Sequence, residues 1–191
     1  MSTVGVLYHV SPAPGLTRLE PRVSTHGKAW VYAVDNLVTG LLFGAKQDDF
    51  DFIISTGDAG HPELSECYPD AFAQVYAGKA CSIYLLDEQG FLRGQTGWSA
   101  ELVCAHAVDV RQEIPIGDLY LRLLEEEAHG NLSVRRWENS AAYKKRISAH
   151  IVDRLIRFDA LEHFETQDER GQKYYKNIIA ALRSVMDGHL L

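Results

Sequence analysis

The sequence is poor in cysteine and has no long uncharged apolar run. Its three cysteines, Cys67, Cys81 and Cys104, are odd in number and widely spaced, which favours reduced thiols over a disulfide framework. The longest weakly charged stretch, residues 29–45, contains Asp35 and is shorter than the ~20 apolar residues that a membrane helix needs. No positive charge precedes the first apolar run, so a secretory signal is not predicted. We therefore expect a cytoplasmic protein without a membrane partner.

Positive charge is also too scarce for a protein that coats nucleic acid. The 191 residues carry a formal net charge of −7, with 46% apolar and 24% charged residues, which is typical of an ordinary globular chain. The net charge therefore argues against binding of nucleic acid by overall charge and leaves a single basic cleft open. The length suits one compact domain with a small appendage.

The spacing of metal ligands is missing as well. Cys104 and His106 fall on the same face of a predicted strand because side chains alternate with a period of two. Two ligands without further partners make a poor zinc signature. A buried thiol beside a hydrogen-bonded histidine is the favoured interpretation, and no metal is expected.

Three apolar stretches each bring one side chain to a strand edge. The first delivers His9, the second carries Tyr32, and the third begins near Glu101. Such residues also occur at strand edges by chance, so their order and context carry the interpretation. The three predicted strands lie in residues 7–12, 30–34 and 99–108.

This order of motifs resembles the ADP-ribosyltransferase fold, in the His-Tyr-Glu branch typified by diphtheria toxin and the poly-ADP-ribose polymerases. The matching residues are Tyr8-His9-Val10-Ser11, Val31-Tyr32-Ala33 and Glu101. The resemblance covers roughly the first 110 residues, judged by the strand pattern. It implies an α+β fold with split mixed and antiparallel β-sheets and flanking helices, to which the chain's own pattern adds a C-terminal helical pair.

The resemblance also implies roles for these residues. In the family, NAD lies as substrate in a cleft between two small sheets. His9 would then bond the ribose beside nicotinamide, Tyr32 would stack on the nicotinamide ring, and Glu101 would bond the ribose hydroxyl. Val10 and Ser11 would border the cofactor, Val10 standing where many members have glycine. The loop before Glu101 would contact the acceptor through Gln95, Thr96 and Trp98; the equally weighted alternative is a connecting loop whose Trp98 packs into the core.

The chemistry of such a reaction explains these residue types. Loss of nicotinamide leaves positive charge on the ribose, as in glycoside cleavage, where a carboxylate stabilises an oxocarbenium-like transition state. An aromatic face attracts the cationic nicotinamide ring. A neutral histidine offers one donor and one acceptor, which fixes a ribose without adding repulsive charge.

Departures from the family pattern narrow the function. Ser99 stands where arginine-modifying toxins have a second glutamate, so an arginine acceptor is disfavoured, and the acceptor, a protein or a nucleic acid, stays open. RNA 2′-phosphotransferases share the fold, but the sequence does not place Arg18, Arg22 or Arg93 near the cleft motifs. The other alternative is a catalytically silent module that binds a nucleotide or a partner on the same fold.

The remaining patterns predict local elements. Asp35 would cap a helix over residues 35–46. Gly40 and Gly44 either weaken this helix, by ~1 kcal/mol each relative to alanine, or permit close packing on the sheet. Asp118 would cap a helix over residues 119–127. Short strands are predicted over residues 50–55, 71–76, 80–86 and 132–134, the last of them rejoining the sheet. Residues 11–28 are predicted to form a surface loop in which His26 is solvated.

The C-terminal part changes character. We predict an ADP-ribosyltransferase-like domain over residues 1–134 and a helical extension over residues 135–191, with helices at 141–164 and around 174–185. The first of these helices and its approach carry seven basic residues against two acidic ones, which form a basic tail that is either solvated or receives a protein or nucleic-acid partner. The basic residues are Arg135, Arg136, Lys144, Lys145, Arg146, Arg154 and Arg157.

Overall fold

The computed structural model describes residues 5–23, 27–47, 51–57 and 60–157, together with residue 187. The elements in chain order are β1 (Val6–Ser11), β2 (Arg18–Leu19), β3 (Arg22–Val23), β4 (Ala29–Val34), α1 (Leu37–Leu41), β5 (Phe52–Thr56), β6 (Pro62–Glu66), α2 (Ala71–Tyr76), β7 (Cys81–Asp87), β8 (Leu92–Arg93), β9 (Glu101–Cys104), β10 (Val108–Asp109), β11 (Gln112–Ile116), α3 (Leu119–Ala128), β12 (Ser133–Arg135) and α4 (Ala141–Arg157). The fold is α+β with mostly antiparallel sheets, which confirms the predicted α+β fold class.

The chain divides into two compact units. The first contains Met1–Lys46 and Tyr76–Leu132, and the second contains Gln47–Val75 and Ser133–Leu191. The division predicted from the sequence had residues 47–75 in the first domain. They belong to the second unit because β6 pairs with β12 there in parallel, a contact between segments far apart in sequence. Within the described residues, every helix falls short of the length and apolar character that crossing a membrane requires.

The first unit is built on a seven-stranded sheet in the order β11-β7-β1-β4-β9-β8, with β3 also paired to β4. β1 pairs along its whole length with β7, whereas it meets β4 at Tyr8 and Val34. Farther along, β4 pairs instead with β3, opposite Trp30. The sheet therefore forks between β1 and β4, and the fork is where the functional candidates lie.

Apolar burial explains why these strands form. Leu7, Val31, Ala33 and Leu102 belong to one core cluster of the first unit, and each is at most 3% exposed. Fully burying a valine or leucine side chain contributes roughly 1.5–3 kcal/mol. The strand predictions at β1 and β4 are confirmed, because each stretch supplies this inward face by itself. The strand predicted over residues 99–108 is shorter: β9 ends at Cys104, so His106 lies outside it, and Val108 belongs to β10.

The helix predicted over residues 35–46 is shorter than expected and has a different cap. α1 ends at Leu41, and the side chain of Asn36 accepts from the backbone N–H of Thr39 at 2.9 Å. Asp35 instead pairs with Arg93 at 2.6 Å. A Cβ at Gly40 would lie 3.2 Å from both Val10 Cγ2 and Val34 Cγ2, so this glycine does permit close packing on the sheet.

The second unit contains a three-stranded sheet in the order β12-β6-β5. The strand predicted at 132–134 corresponds to β12, but it joins this sheet and not the large one. The strand predicted at 71–76 is wrong, since these residues form α2. The carboxylate of Glu66 accepts from the backbone N–H of Phe72 at 2.8 Å, which satisfies a donor that the first helical turn otherwise leaves unpaired.

The later helices agree with the sequence where the structure describes them. The side chain of Asp118 accepts from the backbone N–H of Leu121 at 3.1 Å, which confirms the predicted cap of α3. In α4, Tyr143, Ile147 and Ile151 are buried at the predicted helical spacing. The helix predicted around residues 174–185, the end of the preceding one, Phe50 and His26 lie outside the described residues. The loop predicted over residues 11–28 contains two short strands, β2 and β3.

Candidate functional site

A cavity of about 300 Å³ opens where β1 and β4 separate, and it brings together the three residues singled out in the sequence. His9 comes from β1, Tyr32 from β4 and Glu101 from the first position of β9. Antiparallel pairing of β4 with β9 sets Tyr32 opposite Val103 and Val34 opposite Glu101. The pairing register of the three strands thus brings the imidazole, the phenol and the carboxylate to one cavity.

His9 is oriented by the backbone of β4. Its Nδ1 lies 2.8 Å from the carbonyl oxygen of Tyr32. Since a carbonyl oxygen accepts, Nδ1 carries the hydrogen and Nε2 is the acceptor nitrogen. Burial lowers the pKa of His9, and the nearby Arg22 guanidinium lowers it further, against the opposing effect of the Tyr32 hydrogen bond. The imidazole is therefore neutral near pH 7, with one acceptor to offer a ligand.

Glu101 sits at a strand start, half-buried. Its backbone N–H donates to the carbonyl of Trp98 at 3.2 Å, which closes a turn immediately before β9. The same turn places the Trp98 ring 5.7 Å from the ring of Phe43, tilted by 59°. Phe43 is 44% exposed, so the aromatic pair forms part of an open rim of the cavity.

The lining of this first cavity has a distinct chemistry. It includes the aromatic residues Tyr8, Tyr32, Phe43 and Trp98 with one carboxylate, Glu101, and no lysine or arginine is among the described residues that line it. Aromatic faces and a carboxylate attract a cationic or neutral flat ring and disfavour an anion. The cavity therefore suits an aromatic cation better than a phosphate.

A second cavity of about 440 Å³ adjoins the first and shares His9, Val10 and Tyr32 with it. Its additional lining includes Arg18 and Glu20, which pair with each other. It also includes Arg22 and Trp30, which lie opposite each other in β3 and β4. Guanidinium groups bind phosphate and aromatic faces stack on bases. The second cavity therefore suits the anionic part of a nucleotide.

The two arginines of the second cavity differ in their surroundings. Arg18 pairs with Asp109 at 3.0 Å and with Glu20 at 3.1 Å, so acidic neighbours largely balance its charge. Arg22 is exposed and forms no ion pair with any residue in the described part of the chain. Arg22 is consequently the cation that the second cavity offers to an anionic ligand.

The other predicted site residues divide into two groups. Val10 lines both cavities, Ser11 lines the second and Trp98 lines the first. Gln95 and Thr96 line neither cavity, although both lie in the described part of the chain. The side chain of Gln95 is exposed and turned towards the carbonyl of Arg93 at 3.5 Å. The structure thus brings one of the three predicted acceptor contacts to the site.

Sequence reasoning missed Phe43 and Trp30, and it left Arg22 unplaced. The structure distinguishes Phe43 by its exposure. This large aromatic residue directly follows the buried Leu41 and Leu42 after the end of α1 but is itself exposed. The sequence places Trp30 only within a predicted strand, since nothing local shows that β4 has lost β1 as its neighbour at that point. No group of three or more histidine, cysteine or acidic residues that could hold a metal is found among the described residues.

Comparisons with protein-family models, with curated proteins and with solved structures found no match to this chain.

Proposed function

We propose that this chain is an NAD-dependent ADP-ribosyltransferase-like enzyme, with the fold of that family, that cleaves the nicotinamide–ribose bond and transfers ADP-ribose to an acceptor. One observation carries the proposal: two adjoining cavities share His9 and Tyr32. The first is aromatic, with no lysine or arginine among the described residues that line it, and the second bears Arg22. NAD has the matching halves, a cationic pyridinium ring at one end and a pyrophosphate with adenosine at the other.

The first cavity would hold the nicotinamide ring. Tyr32 and Trp98 supply aromatic faces, and their attraction for a cationic ring contributes about 0.5–2 kcal/mol. The neutral imidazole of His9 accepts a hydrogen bond from a ribose hydroxyl through Nε2, because Nδ1 is already engaged by the Tyr32 carbonyl. A protonated His9 would instead repel the ring, so the lowered pKa of His9 favours this arrangement.

The carboxylate of Glu101 would act on the reacting ribose. As the bond between C1′ and the pyridinium nitrogen breaks, its electron pair leaves with neutral nicotinamide, and positive charge develops on the ribose. A carboxylate placed beside that charge stabilises it selectively in the transition state. The acceptor then attacks C1′ and loses a proton, which completes the transfer.

The acceptor would approach past the aromatic rim formed by Phe43 and Trp98. Ser99 is exposed and carries no charge, so the position two before Glu101 lacks the second carboxylate that the family resemblance links to an arginine acceptor. Transfer to a protein or nucleic-acid group other than arginine is the favoured form of the activity.

The RNA 2′-phosphotransferase reaction is the second candidate, and the position of Arg22 favours it more than the sequence did. Arg22 lies in the second cavity beside His9, where a phosphate would be attracted. Arg18, however, already has two acidic partners, which leaves the cavity less basic than that reaction needs. Phosphate release from a 2′-phosphorylated oligonucleotide in the presence of NAD tests this alternative.

Glu101→Gln is the variant that tests the leading proposal. Removing one preorganised electrostatic group should lower nicotinamide release by about 10²–10³-fold with NAD affinity unchanged. Glu125→Gln on the exposed face of α3 removes the same charge outside the cavities and should leave release unaltered. Tyr32→Ala should weaken NAD binding, measured by calorimetry.

Three outcomes separate the readings. Unchanged nicotinamide release in Glu101→Gln would remove this carboxylate from the mechanism. Equal NAD affinity in Tyr32→Ala would reject the stacking role. NAD binding by the unmodified protein without any release of nicotinamide would favour the catalytically silent module.

A further inference from the structure

The segment between β1 and β2, residues 12–17, is held in place by side chains from β7 and β11. We call it the Gly15 segment. The backbone N–H of Gly15 donates to both carboxylate oxygens of Glu113, at 3.0 and 3.2 Å. The hydroxyl of Tyr84 donates to the carbonyl oxygen of Ala13 at 2.5 Å, and the N–H of Leu16 reaches the Tyr84 oxygen at 3.4 Å. Three positions of the segment, Ala13, Gly15 and Leu16, are thus tied to the sheet.

The anchor itself is well braced. Glu113 lies opposite Tyr84 in the pairing of β11 with β7, and the hydroxyl of Ser82 donates to its Oε1 at 2.6 Å. The Ser82 hydroxyl and then the Gly15 N–H lower the pKa of Glu113, so the carboxylate stays ionised at neutral pH. Tyr84 is fully buried, which fixes the position of its hydroxyl.

The Gly15 segment also has support outside the anchor, from the Ser11 hydroxyl, which accepts from the Ala13 N–H at 3.2 Å, and from the Val110 N–H, which donates to the Thr17 carbonyl at 2.9 Å, so Glu113 and Tyr84 act on its middle. Gly15 has φ of 74°, a left-handed conformation that glycine adopts without the usual steric cost but that an unrestrained chain leaves freely. The carboxylate of Glu113 comes from a residue 98 positions away in sequence. Such long-range anchoring serves a purpose where the segment must keep a defined surface.

That surface faces the second cavity. Ala13 and Leu16, two of the three anchored positions, both line it. Tyr84 is also the cross-strand neighbour of His9, and the two rings lie 6.2 Å apart. The anchor therefore connects the wall of the second cavity with the histidine that the two cavities share.

We propose that Glu113 and Tyr84 are positioning residues that hold the Gly15 segment as a wall of the second cavity, and so set the affinity for the phosphate-bearing half of the ligand. This inference rests on the proposed function, because it takes that half to be the ADP-ribose part of NAD. Neither residue touches the reacting bond. Their loss acts on ADP-ribose binding and spares the nicotinamide cavity.

Two variants remove the anchor in different ways. Tyr84→Phe deletes one hydroxyl and keeps the buried ring beside His9, and Glu113→Ala deletes the carboxylate. Tyr143→Phe is the matched control, since the Tyr143 hydroxyl also donates to a backbone carbonyl, that of Glu66 at 2.8 Å, within the second unit. Amide hydrogen exchange at Gly15 and Leu16 reports on the segment, and calorimetry with ADP-ribose and with nicotinamide reports on the cavities.

We expect exchange at Gly15 and Leu16 to accelerate in both variants, and the dissociation constant for ADP-ribose to rise about tenfold, as loss of preorganisation requires. Nicotinamide affinity should stay unchanged, and KM for NAD should rise without a fall in kcat. The control should alter none of these quantities. This split separates positioning from a general loss of stability.

Each contrary result has a distinct meaning. Faster exchange with unaltered ADP-ribose affinity overturns the inference alone, as does an equal loss of affinity for both ligands. Unchanged exchange shows that the side chains do not hold the segment, and it also overturns the inference. Failure of the unmodified protein to bind either ADP-ribose or NAD overturns the proposed function and the inference with it.

Discussion

Replacing Gly44 with alanine should destabilise the first unit through a steric conflict beneath the site. A Cβ at Gly44 would lie 2.9 Å from Cys81 Sγ, 2.9 Å from Leu119 Cδ2 and 3.1 Å from Val10 Cγ1. All three side chains are buried, so none can swing into solvent. Because contacts below 3.0 Å are not tolerated by real Cβ atoms, at least one of these neighbours must move.

The expected magnitude follows from two opposing effects. Inserting a methylene-sized group into a packed core costs about 1–3 kcal/mol. Gly44 is not in the left-handed region, so alanine also gains about 0.4–1 kcal/mol by restricting the unfolded chain. The net loss in the free energy of unfolding is then about 0–2.6 kcal/mol, with a central value of about 1.3 kcal/mol. At about 2–4 °C per kcal/mol, this central value corresponds to a fall in Tm of about 3–5 °C.

Gly117→Ala provides the matched control. A Cβ at Gly117 would meet no heavy atom within 4 Å, so the entropic gain should appear there without the clash. Thermal and urea unfolding of the two variants give the comparison directly. Since Val10 lines both cavities, Gly44→Ala should also weaken NAD binding, and Gly117→Ala should not. Equal stability of the two variants would refute the packing argument.

Two further predictions come from buried titratable groups. The folded pKa of His9 is lowered from 6.5 by burial and by Arg22, so the unfolded chain binds this proton at a higher pH. The free energy of unfolding should therefore fall as pH drops below 6.5, and urea titrations between about pH 8 and about pH 5 should show a smaller fall in His9→Gln. Burial raises the pKa of Cys67 to about 12 and that of Cys81 to about 11. Iodoacetamide should consequently leave both thiols unmodified in the native protein at about pH 8 and modify them after unfolding, as mass spectrometry would show; native labelling at the rate of the unfolded chain would contradict this.

The sequence pattern predicted an element correctly where the residues of that stretch themselves stabilise it. β1, β4 and β9 are apolar runs that bury an inward face, and α3 carries its own cap in Asp118. Residues 71–76 show where such reasoning fails. Their apolar and aromatic character suits a strand, but the carboxylate of Glu66, outside that stretch, accepts from the N–H of Phe72 at 2.8 Å. A helix start determined by a neighbouring strand leaves no sign in the helix's own sequence.

The candidate site shows the same limit. His9, Tyr32 and Glu101 could be named because each stands at a recognisable place on its strand. Trp30 and Arg22 could not be placed, since their position depends on where β1 and β4 stop pairing. The place where this pairing stops depends on β1, on β4 and on β3, which pairs with β4 beyond it, so the sequence of any one of these strands does not reveal it.

At the fork in the sheet, the side chain of His9 contributes both to the stability of the fold and to the proposed chemistry. Beyond Tyr8 and Val34 the two strands have separated, and the Tyr32 carbonyl accepts from the His9 side chain at 2.8 Å. A hydrogen bond of this kind contributes about 0.5–1.5 kcal/mol net. The bond also leaves Nε2 as the acceptor on offer to a ligand, so the opening of the cavity and the tautomer of its histidine have the same cause. Any substitution at His9 therefore changes both the fork and the chemistry, whereas Glu101, at the beginning of β9, is where the proposed chemistry can be removed with the least change to the sheet.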